Sequence, residues 1–238
     1  MWVEHRAQAQ ADRDRAAQAG QDTAEVDALI TDLDRREAVN RLLISLVEDP
    51  EIPIFGGERV EFLSDTPGKY SAKLYRFKSV RYASGLVLGV NDRVPKRWDE
   101  RANALIAANG AGAELKAFWH SLGELPAFAD VLTGKERATS RLREQTYLAS
   151  SGVLYAIAWG AYMSGDITAF VKGLGNVSFA RPTDKEGKVA TKGTGENGEF
   201  TRADTILAGT LVDERGKISG AQNAWEAAAD VLRDAATK

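Results

Sequence analysis

Leu148-Ala149-Ser150-Ser151-Gly152-Val153-Leu154-Tyr155-Ala156-Ile157-Ala158-Trp159-Gly160-Ala161-Tyr162-Met163 is apolar or small at nearly every position. A helix that is apolar on all sides has no solvent face, so this stretch reads as a helix at the centre of a folded domain. It forms the second half of the longest helical candidate, residues 136–164, along which Leu142, Tyr147, Leu148, Val153, Leu154, Ile157 and Tyr162 recur. A central buried helix needs amphipathic helices around it. The flanking sequence supplies them.

On the N-terminal side, Trp98, Ala102, Leu105 and Ile106 mark one face of a helix that Pro95 opens, proline being suited to a first helical turn. Leu115, Phe118, Trp119 and Leu122 mark a second, and Phe128, Val131 and Leu132 a short third that stops near Gly134. On the C-terminal side, Ile167, Phe170, Val171 and Leu174 continue the pattern. Residues 180–199 then turn polar and Gly-rich, which predicts one long flexible loop. A last pair of helices is expected over Thr201 to Ala208 and Ser219 to Ala235, the second turning Trp225, Ala228, Val231 and Leu232 inward. Asp213-Glu214-Arg215-Gly216-Lys217 makes the turn between them.

Further upstream, Val26, Leu29, Ile30 and Leu33 recur at i, i+3, i+4 and i+7, and Leu42, Leu43, Leu46 and Val47 extend the stripe until Asp49-Pro50 ends it. Asp22 or Thr23 is the expected cap. Ile52-Pro53-Ile54-Phe55-Gly56-Gly57 reads as an apolar loop tucked against the core. Residues 3–19 have almost nothing to bury, so residues 1–21 are expected as a solvated helix or arm ahead of a single helical domain over residues 22–238. Strand signals are weak throughout. The expected fold is all-α: a multi-helix globular bundle with a long central buried helix and one long Gly-rich loop.

The chain has 238 residues, 44% of them hydrophobic and 27% charged, in the range of a soluble globular protein. It contains no cysteine, which rules out disulfides, thiolate zinc sites and thiol catalysis, and its two histidines, His5 and His120, lie far apart. Neither a signal peptide nor an apolar run of about 18 residues is present, so a cytoplasmic protein without metal or cofactor is expected. The net charge of −3 gives no global positive field toward DNA. Any nucleic-acid contact has to come from a local patch.

One such patch exists in the sequence. Residues 66–91 contain no Asp or Glu, and within them Lys69, Lys73, Arg76, Lys78 and Arg81 alternate with Tyr70, Tyr75, Phe77 and Tyr82. Cations neutralise phosphates and rings stack on bases, so nucleic acid is one reading. An amphipathic helix that buries its rings and solvates its charges is the other. If the segment is helical, Lys69, Lys73 and Arg76 share a face. A second positive group, Lys135, Arg137, Arg141 and Arg143, stands near the start of the long helix; there Glu136 and Glu144 offer ion-pair partners, and phosphate contact and structural pairing both fit.

Catalytic patterns are thin. Gly187 to Gly198 lacks phosphate-loop spacing, with Thr191-Lys192-Gly193-Thr194 only superficially similar. Ser121 adjoins His120, but neighbours on a helix point about 100° apart. The carboxylate pairs Asp12/Asp14, Asp32/Asp34, Asp99/Glu100 and Asp213/Glu214 read as solvated faces or caps. No catalytic residue is assigned.

A longer run of landmarks does resemble a family. It comprises Leu42-Leu43, Pro53-Ile54-Phe55, Gly57-Glu58-Arg59, Ser71-Ala72-Lys73-Leu74-Tyr75-Arg76-Phe77-Lys78-Ser79-Val80, Phe118-Trp119, Leu142-Arg143-Glu144-Gln145-Thr146-Tyr147, Gly152-Val153-Leu154-Tyr155-Ala156-Ile157, Gly209-Thr210-Leu211-Val212 and Gly216-Lys217-Ile218-Ser219. Over roughly residues 40–235 the chain resembles the C-terminal helical region of DndB-type proteins of bacterial DNA phosphorothioation (sulfur modification) systems. The Asp-Gly-Gln-His-Arg stretch of that family's preceding domain is absent here. The resemblance implies a DNA-associated, non-enzymatic accessory or regulatory role, with promoter binding and protein partners of the modification system among its expectations. The DNA-contacting candidates are Lys69, Lys73, Arg76, Lys78, Arg81, Arg137 and Arg141, and the aromatic residues of the window are read as packing. A helical protein–protein scaffold without DNA contact is the alternative.

Overall fold

In a computed structural model, residues 2–56, 59–62, 70–92, 94–109, 111–181, 205–213 and 216–237 are described, with side chains excepted at 2–6, 32–37 and 109. Lys69, most of the Gly-rich loop expected at 180–199, and residues 201–204 of the helix expected after it lie outside them. The helices are α1 (Trp2–Gln18), α2 (Ala24–Val47), α3 (Phe77–Val87), α4 (Pro95–Asn109), α5 (Gly112–Gly123), α6 (Ala129–Leu132), α7 (Ala138–Gln145), α8 (Ser151–Ser164), α9 (Ile167–Gly173) and α10 (Gln222–Ala236). Two-residue strands β1 (Val60–Glu61) and β2 (Tyr75–Arg76) pair in parallel, Val60 opposite Tyr75. The fold is an all-α globular bundle.

The apolar stretch sits at its centre as α8. Val153, Leu154, Ala156, Ile157, Ala158, Gly160 and Ala161 are buried, and the helix packs on α3, α9 and α10. Its ends follow from side-chain chemistry. Ser150 at the N-cap accepts from the Val153 N–H, Gly165 takes φ +74° just past the last turn, and Asp166 accepts from the Ala169 N–H to start α9. Gly160 is required by packing, because a Cβ there would lie 2.7 Å from Phe170 Cζ.

The continuous helix expected over 136–164 is interrupted between α7 and α8. Thr146 is extended, the Tyr147 N–H donates to the Phe179 carbonyl at 2.9 Å, and the Arg181 N–H donates to the Gln145 carbonyl at 2.8 Å. The Arg181 guanidinium then donates to the carbonyls of Arg143 and Thr146 and lies 4.5 Å above the Tyr147 ring. Backbone groups that a helix would satisfy internally are here satisfied by a segment more than thirty residues away in sequence.

Residues 205–208 are likewise not helical. The chain turns at Gly209 (φ +83°) and forms isolated bridges from Ala208 to Val212 and from Val212 to Ile218, with Leu207, Leu211 and Val212 buried. A turn rather than a helix lets all three apolar side chains face inward.

The rest of the core gathers on Trp119, which is fully buried against Phe55, Phe118 and Tyr75 and donates from Nε1 to Ser84 Oγ at 3.0 Å. The apolar loop after α2 becomes a 3-10 turn at Pro53–Phe55 that buries Ile54 and Phe55. At the periphery, α1 lies along α2, with Ala9 buried and Arg13 bonded to Asp27 at 2.7 Å. Leu29 of the α2 stripe is 50% exposed. Among the described residues no helix is long and apolar enough to cross a membrane.

Candidate functional site

The basic-aromatic window does not form one helix. Lys73 lies in the segment before β2, and Arg76 ends β2 and occupies the N-cap position of α3. The helical face expected for Lys69, Lys73 and Arg76 is therefore not formed, since α3 begins only at Phe77. The rings separate by role. Tyr75 is core and donates its hydroxyl to the Leu148 carbonyl, burial pushing that phenol far above its ordinary pKa. Phe77 stacks on Phe62 with centroids 5.0 Å apart, while Tyr70 is 76% exposed. Arg76 Nε donates to Ser79 Oγ, which is 2.7 Å from Ser151 Oγ and 3.4 Å from the Tyr155 hydroxyl. That network ties α3 to α8.

Two sequence-distant segments meet on one face. The Arg143 guanidinium donates to the carbonyls of Ser71 and Lys73, fastening the segment before β2 onto α7, and burial lowers the pKa of this arginine from its ordinary value. Beside that junction lie two clefts of about 640 and 460 Å³ that share Tyr70, Glu136, Arg137 and Ser140. Arg141 and Glu144 line the first; Arg59, Ser71, Ala72 and Lys135 line the second. Arg59 is held from below by the carbonyls of Pro53 and Val131. Arg137 and Arg141 are exposed at the rim. Arg137 lies 3.7 Å from the Glu136 carboxylate, and Arg141 donates to the Glu136 carbonyl at 3.1 Å. Arg137 adopts φ +57°, alone among the described non-glycine residues in the left-handed region.

Lys78 and Arg81 belong to a second site on the other side of α3. Lys78 is exposed. The Arg81 guanidinium donates to Asn40 and Asp99 and lies 4.3 Å over the Trp98 ring. Asp99 is 1% exposed, so the solvated role expected for the Asp99/Glu100 pair holds only for Glu100: the half-buried Arg81 over Trp98 pairs with the Asp99 carboxylate inside. Around this pair opens a pocket of about 550 Å³ between α3, α4, α8 and the start of α10. Tyr82, Trp98, Tyr155 and Trp225 are its rings; Lys78, Arg81, Asp92 and Gln222 are its polar groups. Gln222 Nε2 donates to Asn91 Oδ1 at 2.8 Å and to Glu226 Oε1 at 2.7 Å. Tyr155 and Trp225 looked like plain core positions because each sits in an apolar helical stripe. No local signal shows that one edge of both rings faces a cavity.

The remaining constellations do not assemble. His120 Nδ1 lies 3.8 Å from Glu124 rather than on Ser121, which is buried. Among the described residues no three acidic or histidine side chains come together to hold a metal ion. Comparison with protein-family models, with curated proteins and with solved structures finds no match to this chain.

Proposed function

We propose that this protein is a DNA-associated, non-enzymatic accessory or regulatory protein of a bacterial DNA phosphorothioation system, acting in the cytoplasm alongside protein partners of that system. The observation that carries the DNA contact is the convergence on one face of Tyr70 and the Lys73 segment with Arg137 and Arg141, joined through Arg143. The link to phosphorothioation rests on the resemblance to DndB-type proteins. In a chain of net charge −3, two exposed arginines beside an exposed tyrosine form a local cationic rim where a phosphate backbone can lie. Contacts of this kind position a protein on DNA without reading its sequence.

The test is a salt titration of binding to a labelled duplex. Affinity falls as salt rises, and the double substitution Arg137→Gln with Arg141→Gln lowers the slope of log K against log salt by about 2, near 0.9 for each phosphate that is no longer neutralised. Absence of duplex binding at low salt, or an unchanged slope in the double variant, refutes the role.

A further inference from the structure

We infer that the aromatic pocket between α3, α4, α8 and α10 receives one unpaired nucleotide of a DNA strand, its base among the rings and its phosphate at the mouth beside Lys78. The choice of a DNA strand rests on the DNA-associated role proposed above; the chemistry of the pocket does not. The cavity of about 550 Å³ falls in the size range of small-molecule sites, roughly 300–1,000 Å³. Its rings form a continuous series: Trp98 and Tyr82 are stacked with centroids 6.3 Å apart, Tyr82 and Tyr155 meet edge to face at 4.8 Å, and Tyr155 meets Trp225 at 6.3 Å. Trp98 and Trp225 are recessed at 2% and 4% exposure, whereas Tyr82 and Tyr155 are half-buried and present their rings at the opening.

This geometry selects against a paired duplex and for a base turned out of its stack. A duplex exposes only base edges, and recessed rings cannot reach them. A base with both faces uncovered can slide against the half-buried tyrosines, and stacking is tolerant of base identity. The charges suit the phosphate that accompanies it. Lys78 lies one turn before Tyr82 on α3, is exposed, and makes no ion pair among the described residues. Across the mouth, Gly220, Ala221 and Gln222 bring in the positive end of α10, whose cap residue Ala221 offers no side-chain acceptor to its first turn. Arg81, held by Asp99 and Asn40 over Trp98, stiffens the back wall and is a positioning residue. Asp92, on the far side, is oriented by accepting from the Val94 N–H and lies 3.7 Å from Arg101.

The experiment uses the full chain and a short single-stranded oligonucleotide carrying one 2-aminopurine, with the same oligonucleotide annealed to its complement as the second arm. Stacking in the pocket quenches the 2-aminopurine emission of the single strand further when protein is added, and leaves the already low emission of the duplex unchanged. Tyr82→Leu weakens the single-strand response about tenfold, the scale of one base–aromatic stack. Lys78→Gln, an exposed change that leaves folding intact, weakens it several-fold. In the Tyr82→Leu variant duplex binding through Arg137 and Arg141 is unchanged. An unquenched single strand overturns the inference, as does a response that survives both substitutions. Duplex binding that persists without single-strand quenching overturns the pocket while leaving the DNA-associated role standing. Quenching without any duplex binding overturns the duplex contact through Arg137 and Arg141 while leaving the pocket standing.

Discussion

At the residue scale, Arg137 joins strain and charge at one position. A left-handed backbone costs a non-glycine residue about 1–2 kcal/mol, and here it is held just before α7, with the side chain at the rim of the cationic clefts. Arg137→Gly is expected to raise stability by about 1 kcal/mol, seen as a higher urea midpoint with an unchanged slope, while lowering duplex affinity. A variant that gained affinity would remove this position from the interface, and one that lost stability would show that its left-handed backbone carries no strain. Helical spacing predicts a shared face for Arg137 and Arg141, but Arg137 stands outside α7 in a left-handed conformation at its N-cap, and the two meet at the rim of a common cleft instead. The sequence could not reveal that Arg81 is engaged by Asp99, because the two lie eighteen positions apart on different helices and their pairing depends on how α3 meets α4.

At the element scale, α3 and α4 approach each other over a glycine. A Cβ on Gly85 would lie 2.2 Å from Trp98 Cζ2, so the indole is seated where any side chain at 85 would stand. Gly85→Ala is expected to cost about 1–3 kcal/mol by overpacking, measured by urea unfolding, and to push Trp98 toward the pocket. Quenching of Trp98 emission by a soluble quencher checks that displacement; unaltered accessibility would show that α4 gives way instead. The helices themselves were legible wherever apolar periodicity was clear, as in α4 opened by Pro95, in α5, and in the apolar half of the long candidate that is α8. The gap between α7 and α8 was not. Its residues suit a helix locally, and the break arises because Phe179 and Arg181 supply competing hydrogen bonds.

At the scale of the whole molecule, stability in acid depends on carboxylates tied to lysines on other parts of the chain. Lys116 of α5 lies 2.8 Å from Asp49 just past α2, and this bond, helped by the Glu51 N–H, holds the Asp49 carboxyl below its ordinary value. Lys135 does the same for Asp130. A carboxyl whose folded pKa is depressed stabilises the fold above its unfolded value, near 4, and loses that contribution as pH falls through the lowered folded value. The urea midpoint should therefore drop as pH goes below about 4. Lys116→Gln should make that drop shallower and return the Asp49 titration, followed by carboxyl NMR, toward its ordinary value; an unmoved titration would show that Lys116 does not set it. The sequence by itself determined that the molecule is all-α around an apolar helix, because burial periodicity and caps are local properties. It also determined that any DNA contact must be local, because net charge is a sum over residues. Only the tertiary structure decided which cations share a face, which are held half-buried by partners on other elements, and that Tyr82, Trp98, Tyr155 and Trp225 surround one cavity. Those relations depend on distances between segments far apart in sequence, and helical spacing carries no information about them.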